Sequence, residues 1–211
     1  MISWQVRENL ERIGVRVEKS LLEKVEEYDQ TLLKWNRKIN LTGLKTEEER
    51  AMWLYSESIW AAVTFPVQGG MIDVGCGCGF PGLAFHWVNQ CKLTLIEQKE
   101  KKVHFLKEAV RRLEMKNVTT RNQTFDGYLG FYEREKEEQI GISWRALCLN
   151  RDTIQKMVGE MRNGDSAICF LGKDSRETDW VGQTKGLSVK KRKFFPLSEH
   201  RFVIQMVKCS T

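Results

Sequence analysis

The chain has 211 residues, 41% of them hydrophobic and 29% charged, and a formal net charge of +6 at pH 7. These values exclude a disordered chain and allow one medium-sized domain with a substantial core. Apolar runs of the roughly 18 residues that cross a bilayer are absent, and residues 1–11 lack the apolar core of a signal peptide. We therefore expect a cytoplasmic protein with no membrane partner, and the positive charge favours a polyanionic partner.

Apolar residues at helical spacing precede the first predicted strand. They predict an amphipathic helix over residues 17–39, and a second helix is expected over 47–64. The apolar positions of the first helix are Leu21, Val25, Tyr28, Leu32, Trp35 and Ile39. We expect residues 1–66 to form a helical extension that packs on the sheet of a second unit, residues 67–211.

From residue 71 onward, short apolar strands alternate with helical segments. Strands are predicted at 71–74, 93–97, 118–121, 142–149, 167–171, 187–195 and 201–207. Helices are predicted from about residue 99 and over 153–161, whereas the polar segment 127–139 is expected at the surface. This order predicts an α/β fold with a mostly parallel sheet and an antiparallel edge.

A glycine-rich segment follows the first predicted strand. Residues 71–82 read MIDVGCGCGFPG, which predicts a buried strand, a turn with little side-chain bulk and a helix that begins near Pro81. This arrangement directs backbone N–H groups at a ligand. The spacing of Gly77, Gly79 and Gly82 also fits the G-x-G-x-x-G pattern of dinucleotide-binding folds. A nicotinamide-dependent oxidoreductase therefore remains an alternative.

Two acidic residues favour a different ligand. Asp73 lies two residues before the first glycine, where a carboxylate would repel a pyrophosphate but suits the ammonium group of S-adenosylmethionine (SAM). Glu97 ends the second strand about 20 residues after the loop, which is the place from which a carboxylate accepts hydrogen bonds from a ribose diol. Alternatively, Glu97 caps the helix that begins near Lys99. Together the two acids favour SAM as the cofactor.

The six cysteines indicate reduced thiols rather than a metal centre. Cys76 and Cys78 are too close for an ordinary disulfide, and the chain lacks the matching second pair of a zinc site. We expect no bound metal.

Three segments carry a resemblance to a known family. Residues 35–42 (WNRKINLT), 73–82 (DVGCGCGFPG) and 101–106 (KKVHFL) resemble the bacterial small-subunit rRNA guanine-N7 methyltransferases, also called the glucose-inhibited division protein B family. The resemblance implies a Rossmann-like, seven-stranded SAM-dependent methyltransferase sheet with an N-terminal helical extension. It also implies methyl transfer to N7 of one guanine in 16S rRNA, with that rRNA or the small ribosomal subunit as the partner.

The same resemblance implies a set of cofactor-binding residues. Gly75, Gly77 and Phe80 would line the methionine and ribose, and Glu97, Gln98 and Lys99 would face the ribose and adenine. Thr124 and Phe125 would flank the adenine, and Arg145 would lie beside the methyl donor. One departure lies in the second N-terminal helix, where only Glu57-Ser58 of the family's polar element is kept.

The chemistry needs positioning groups rather than a general base. Guanine N7 carries an in-plane lone pair on the major-groove edge, so it needs no deprotonation before it attacks a sulfonium methyl group. Holding the reactants in line contributes up to roughly 7–11 kcal/mol. We nominate Arg145 to orient the cofactor carboxylate or the guanine and its phosphate. Asn40 either bonds the base edge or braces the helical extension.

Lysines near the end of the chain are candidates for RNA binding, because clustered cations bind phosphates. Lys173 follows the fifth strand, and alternation along strand 187–195 places Lys191 and Lys193 on one face with Lys190 and Arg192 on the other. Ordinary solvated lysines are the alternative. Besides the oxidoreductase, a diverged rRNA-binding protein without turnover and a methyltransferase with another acceptor remain open. We expect a monomer.

Overall fold

A computed structural model of the chain describes residues 1–129, 139–146, 149–172 and 184–209. Helical elements precede the sheet, and they are α1 Ile2–Arg12, α2 Lys19–Asn36, α3 Glu47–Glu49, a π-helical segment Arg50–Ser56 and α4 Glu57–Thr64. The last three run on without a break. Both predicted N-terminal helices are therefore confirmed, but α1 was missed. Ile2, Val6 and Leu10 recur every four residues and are buried, so the signal for α1 was present.

Buried polar contacts hold the second helical run against α2. It begins at a capping box, in which Thr46 Oγ1 accepts from Glu49 N–H and the Glu49 carboxylate accepts from Thr46 N–H, both at 3.1 Å. The Arg50 guanidinium then donates to both carboxylate oxygens of Asp29 at 2.8 and 2.9 Å. Tyr55 in the π-helical segment donates its hydroxyl to the same carboxylate at 2.9 Å. The π-helical segment is thus fixed in orientation relative to α2.

Within the described residues the sheet has seven strands in the order β3-β2-β1-β4-β5-β7-β6. The strands are β1 Gly70–Val74, β2 Lys92–Glu97, β3 Val118–Asn122, β4 Ile140–Arg145, β5 Ser166–Gly172, β6 Leu187–Phe194 and β7 Arg201–Lys208. β1 to β5 pair in parallel, whereas β7 runs antiparallel to both β5 and β6. The predicted α/β fold with seven strands and an antiparallel edge is confirmed.

Helices α5 Gly82–Asn89, α6 Glu100–Arg112, α7 Phe125–Leu129 and α8 Arg151–Glu160 connect the parallel strands. One strand was predicted too long, and one segment predicted at the surface is buried in part. Strand four was expected to reach residue 149, but β4 ends at Arg145 because Ala146 takes a φ of +50°, which ends the extended backbone. Residues 127–139 were expected to be exposed, yet Tyr128 and Leu129 of α7 are buried against the sheet. Residues 130–138 lie outside the described part.

The sheet carries a hydrophobic cluster on each face. One face packs against α7 and α8, and the other packs against α5, α6 and the N-terminal helices. Buried residues of α1, α2 and α4 belong to the same cluster as those of the sheet, so the N-terminal helices are part of the core that backs the glycine loop. Among the described helices, none combines the length and the apolar character needed to cross a membrane.

Candidate cofactor and active site

The glycine loop leaves the carboxyl end of β1 and leads into α5. Gly75, Gly77 and Gly79 have φ values of +61°, +56° and +86°, a region that side chains rarely adopt. Gly75 is exposed, and a Cβ on Gly77 would meet no atom closer than Lys102 Nζ at 3.7 Å. A Cβ on Gly79 would instead lie 2.7 Å from Leu83 Cδ1. The first two glycines therefore leave open space for a ligand, and the third allows close packing of α5.

Asp73 joins the loop to two neighbouring elements. Its carboxylate accepts from the backbone N–H of Gly82 at 2.8 Å and from the hydroxyl of Ser143 on β4 at 2.9 Å. The side chain is fully buried, and this burial raises the pKa of the Asp73 carboxyl to about 7. Both oxygens thus serve protein donors, and the predicted contact with a cofactor ammonium stays a prediction. Sequence reasoning missed Ser143, because the two residues are 70 positions apart.

Glu97 lies at the carboxyl end of β2, beside the loop. One carboxylate oxygen accepts from Gly77 N–H at 3.1 Å and the other from Lys99 N–H at 2.9 Å. The bond to Lys99, the N-cap of α6, corresponds to the helix-capping alternative, while the ribose contact stays a prediction. Asn122 was not anticipated, yet its amide donates to the carbonyl oxygens of Glu97 and Gln98 at 3.2 and 3.0 Å. It therefore fixes the exposed Gln98 at the mouth of the site.

Two further predicted residues, Thr124 and Phe125, follow the carboxyl end of β3, which pairs with β2. Thr124 is exposed and its hydroxyl accepts from Gly127 N–H at 3.2 Å, which starts α7. Phe125 is buried in the cluster on that face of the sheet. Phe125 can therefore present only a small part of its ring to an adenine.

An aromatic group connects α2 to the glycine loop. The Tyr28 hydroxyl, fully buried, donates to the carbonyl oxygen of Cys78. Its ring makes edge contacts with Phe80 at 5.4 Å and Phe105 at 5.9 Å between centroids. Phe80, expected to line the cofactor, is itself buried among these rings. The helical extension thus supports the loop from behind, through a residue that sequence analysis assigned only to the core of α2.

Arg145, at the carboxyl end of β4, binds the helical extension. Its guanidinium donates to the carbonyl oxygen of Trp53 at 2.7 Å and to the hydroxyl of Ser58, and it lies 3.7 Å from the Glu57 carboxylate. Burial lowers the pKa of Arg145, and its Nε has no hydrogen-bond partner among the described residues. The two residues that the chain keeps from the family's polar element are therefore those that Arg145 contacts.

A second arginine completes this group and was not anticipated. Arg201, the first residue of β7, donates to the Glu57 carboxylate at 3.1 Å, and its guanidinium lies 4.6 Å from the ring centroid of Trp53. Glu57 is 2% exposed, so one buried carboxylate lies between two cations. We call Arg145, Arg201, Glu57, Ser58 and Trp53 the arginine cluster. It lies at the carboxyl ends of β4 and β5, because Arg201 pairs with Gly172.

The remaining predicted residues are Asn40 and three lysines. Asn40 is exposed, and both roles considered for it stay predictions. In the same segment, the Asn36 amide accepts from Leu41 N–H at 2.8 Å and donates to the carbonyl oxygen of Thr42 at 3.3 Å. The Lys191 ammonium donates to the carbonyl oxygen of Thr64 at 2.8 Å, at the end of α4.

Lys193 is exposed, and Lys173 lies outside the described residues. In the part of the chain that the structure describes, no three His, Cys, Asp or Glu side chains are grouped to hold a metal ion.

The site fits a nucleoside cofactor at the edge formed by β1, β2 and β3. The backbone at Gly75 and Gly77 is open to a ligand, and the Glu97 carboxylate lies directly behind it. A SAM-dependent methyltransferase from Aquifex aeolicus superposes with a TM-score of 0.60 and 14% identity, over 76% of this chain and 93% of its own. An rRNA methylase from Streptococcus thermophilus gives a TM-score of 0.53 at 12% identity, over 73% and 95%. The fold is thus the Rossmann-like fold of SAM-dependent methyltransferases.

Sequence relatives specify the family. The model of the family described as rRNA small subunit methyltransferase G matches residues 21–201. The ribosomal RNA small subunit methyltransferase G of Clostridium beijerinckii is 35% identical over 193 residues, which cover 90% of this chain and 80% of that protein. The protein of the same name from Alkaliphilus metalliredigens is 35% identical over 82% of this chain and 73% of its own length. The chain belongs to the rRNA small subunit methyltransferase G family, as its three sequence segments predicted.

Proposed function

We propose that the protein transfers a methyl group from SAM to N7 of a guanine in the 16S rRNA of the small ribosomal subunit. The observation that carries the proposal is the family match over residues 21–201, which includes the glycine loop, Glu97 and the whole arginine cluster. This match favours methyl transfer over the nicotinamide-dependent alternative. We further propose that residues 1–66 form the helical extension and 67–211 the methyltransferase domain of a cytoplasmic monomer.

Within this proposal, backbone and carboxylate groups hold the cofactor. Gly75 and Gly77 are the points at which it approaches the main chain, and Asp73 acts mainly by holding the loop to α5 and β4. Glu97 accepts from the ribose, beside the exposed Gln98 and Lys99. Phe80, Thr124 and Phe125 complete the proposed pocket from the loop and from the end of β3. The bound cofactor would supply an electrophilic methyl group on a sulfonium.

Methyl transfer then depends on how the guanine is held. Its N7 lone pair attacks without loss of a proton, so no side chain is required to act as a base. Arg145 and Arg201 supply two cations at the strand ends next to the loop, against one carboxylate, Glu57. The net positive charge suits a phosphate of the substrate, and the N–H groups suit the guanine O6 acceptor. Asn40 and Lys193 remain proposed contacts at the rim.

Two linked measurements test the proposal. Calorimetric titration should show binding of S-adenosylhomocysteine and no binding of NADH. Gly75→Val should remove the binding, because position 75 has a φ of +61° that a β-branched residue rarely adopts. Methyl transfer from labelled SAM to an in vitro 16S rRNA transcript, free or assembled into small subunits, should then yield 7-methylguanine, located by strand cleavage at the modified base.

The outcomes separate the alternatives. NADH binding without S-adenosylhomocysteine binding would overturn the methyltransferase assignment. Cofactor binding without label in either RNA form would mean that the chain uses another acceptor. If neither cofactor binding nor methyl transfer is observed but the protein still binds the RNA, it is an rRNA-binding protein without turnover.

A further inference from the structure

The hairpin of β6 and β7 is the most basic part of the described chain. Residues 184–209 contain seven Lys and Arg side chains and a single acid, Glu199. Three of these cations bind protein groups: Lys191 bonds Thr64, Lys208 bonds the carbonyl oxygen of Val158, and Arg201 bonds Glu57. The other four, which are Lys185, Lys190, Arg192 and Lys193, make no hydrogen bond or ion pair with any described residue.

Arg192 differs from the other free cations because its side chain is held in place. The guanidinium carbon lies 4.3 Å from the ring centroid of Phe202 and 5.7 Å from that of Phe194. The two rings themselves pack with centroids 5.4 Å apart. An arginine stacked in this way keeps its N–H donors free at the edge of the guanidinium plane while losing little further entropy on binding.

Phe194 presents an aromatic surface beside this cation. It is 51% exposed, although its neighbour Phe195 is fully buried. Among the described strands β6 is at the edge of the sheet, so none of them covers Phe194 on that side. An exposed ring between cations offers what single-stranded RNA needs, because bases stack on rings while Arg and Lys contact the phosphates.

Phe194 also forms one wall of a groove. The groove has a volume of about 670 Å³ and is lined by Arg12 of α1, Met52 of the π-helical segment and residues 194–199. This volume lies in the range of sites that hold a small ligand, so it accommodates a nucleotide. Arg12 is a further cation for a phosphate, whereas Glu199 suits the amino group of a base. We call this feature the hairpin groove.

The hairpin groove lies next to the arginine cluster. Met52 of the groove precedes Trp53, on which Arg201 stacks. Phe194 pairs with Phe202, whose side chain lies on the opposite face of β7 from that of Arg201, so the rings of Phe194 and Phe202 lie across the hairpin from the arginine cluster. We propose that the hairpin groove, with Arg192 and Phe194, binds a single-stranded segment of the rRNA substrate, outside the place where the guanine accepts its methyl group. This inference rests on the proposed function, since it assigns a second contact for the same substrate.

Steady-state methylation of the 16S rRNA transcript, free and assembled, tests the inference with two variants. Arg192→Glu should raise the KM for RNA about tenfold or more and lessen the salt dependence of RNA binding. Phe194→Leu keeps an apolar side chain but removes the stacking surface, so it should raise the KM for RNA about five- to 100-fold. Both variants should keep the KM for SAM and the melting temperature of the parent protein.

Matched controls separate a specific surface from general charge or packing effects. Lys185→Glu makes the same change of charge before the other end of β6, and Val189→Ala trims another exposed apolar residue of that strand, 46% exposed. Each should change the KM for RNA less than about twofold, as surface substitutions away from a site do. Equal losses in controls and test variants would overturn the inference.

The failure of this inference is distinct from failure of the proposed function. If the parent protein methylates the RNA and both test variants do so with unchanged KM, the groove is not an RNA contact and the function stands. If the parent protein methylates no RNA, the proposed function fails. Filter binding of the same variants to the transcript then tests RNA binding by the hairpin groove independently of methylation. Unchanged affinity in both variants would overturn the inference.

Discussion

Alanine at position 82 would place a methyl group inside the contact that joins the glycine loop to the sheet. A Cβ at Gly82 would lie 2.6 Å from Asp73 Cβ, 2.9 Å from Asp73 Oδ2 and 3.0 Å from Leu93 Cδ1. None of these atoms can move away easily, because Asp73 and Leu93 are both buried within parallel strands. The start of α5 must therefore shift away from β1.

The expected cost has two sources. Overpacking of a well-packed interior costs about 1–3 kcal/mol. The shift also lengthens the 2.8 Å hydrogen bond from Gly82 N–H to Asp73, and such a bond contributes about 0.5–1.5 kcal/mol when the carboxyl is protonated and about 1.5–3 kcal/mol when it is charged. Since the two costs partly overlap, we expect Gly82→Ala to lower the free energy of unfolding by about 2–4 kcal/mol, a large share of the roughly 5–15 kcal/mol of an ordinary domain.

Urea denaturation and calorimetric titration with S-adenosylhomocysteine measure both consequences. Displacement of the loop should weaken cofactor binding by about tenfold or more, which corresponds to roughly 1.4 kcal/mol. Gly159→Ala is the matched control, because a Cβ on this glycine of α8 would meet no atom within 4 Å. It should stabilise the protein by about 0.5–1 kcal/mol through the greater helix propensity of alanine, with unchanged cofactor affinity. Parent-like stability and affinity in Gly82→Ala would refute the reasoning.

Two further predictions concern Asp73 and Arg145. Because burial raises the pKa of Asp73 from 3.8 to about 7, the folded state holds a proton that the unfolded state has released between these values, so this residue's contribution to stability falls as pH rises through that interval. Asp73→Asn cannot titrate at this position, so the unfolding free energy of the parent protein should fall relative to that of the variant by up to a few kcal/mol from about pH 4 to 7. A difference between the two unfolding free energies that stays constant over this range would contradict the raised pKa. Arg145→Ala should lower the kcat of methyl transfer by roughly 10²-fold, because the end of β4 loses its link to Trp53 and Ser58 next to the cofactor loop. RNA affinity, measured by filter binding, should change much less, and normal turnover would remove Arg145 from the reaction.

Local sequence patterns were sufficient for most of the fold. Alternating apolar strands and helical segments predicted all seven strands, and the glycines after Asp73 predicted the loop that turns from β1 into α5. These features are legible because each depends on residues a few positions apart. Two errors arose where the local signal was weak, as in the five-residue α7, or where the backbone turned without a glycine, as at Ala146 after β4. Helix α1 was missed although its apolar residues recur every four positions.

The contacts of the predicted site residues were not accessible in the same way. Asp73 was predicted to face a cofactor ammonium, which stays a prediction, but its hydrogen bonds with Gly82 N–H and the Ser143 hydroxyl could not be read from the chain. Arg145 was expected beside the methyl donor, and its partners turned out to be Trp53 and Ser58, the latter 87 positions away. Such pairs leave no periodic trace in the chain, because neither residue's position constrains the other until the strands and helices have packed.

The amino-acid sequence by itself therefore determined the class of fold, the cofactor and the family, since these depend on short motifs whose backbone geometry is local. Only the tertiary structure decided that the helical extension supports the glycine loop through Tyr28, and that Glu57 lies between Arg145 and Arg201. The physical reason is that buried polar groups must find partners wherever the chain brings them together, and the packing of the helices on the sheet settles which partners are within reach.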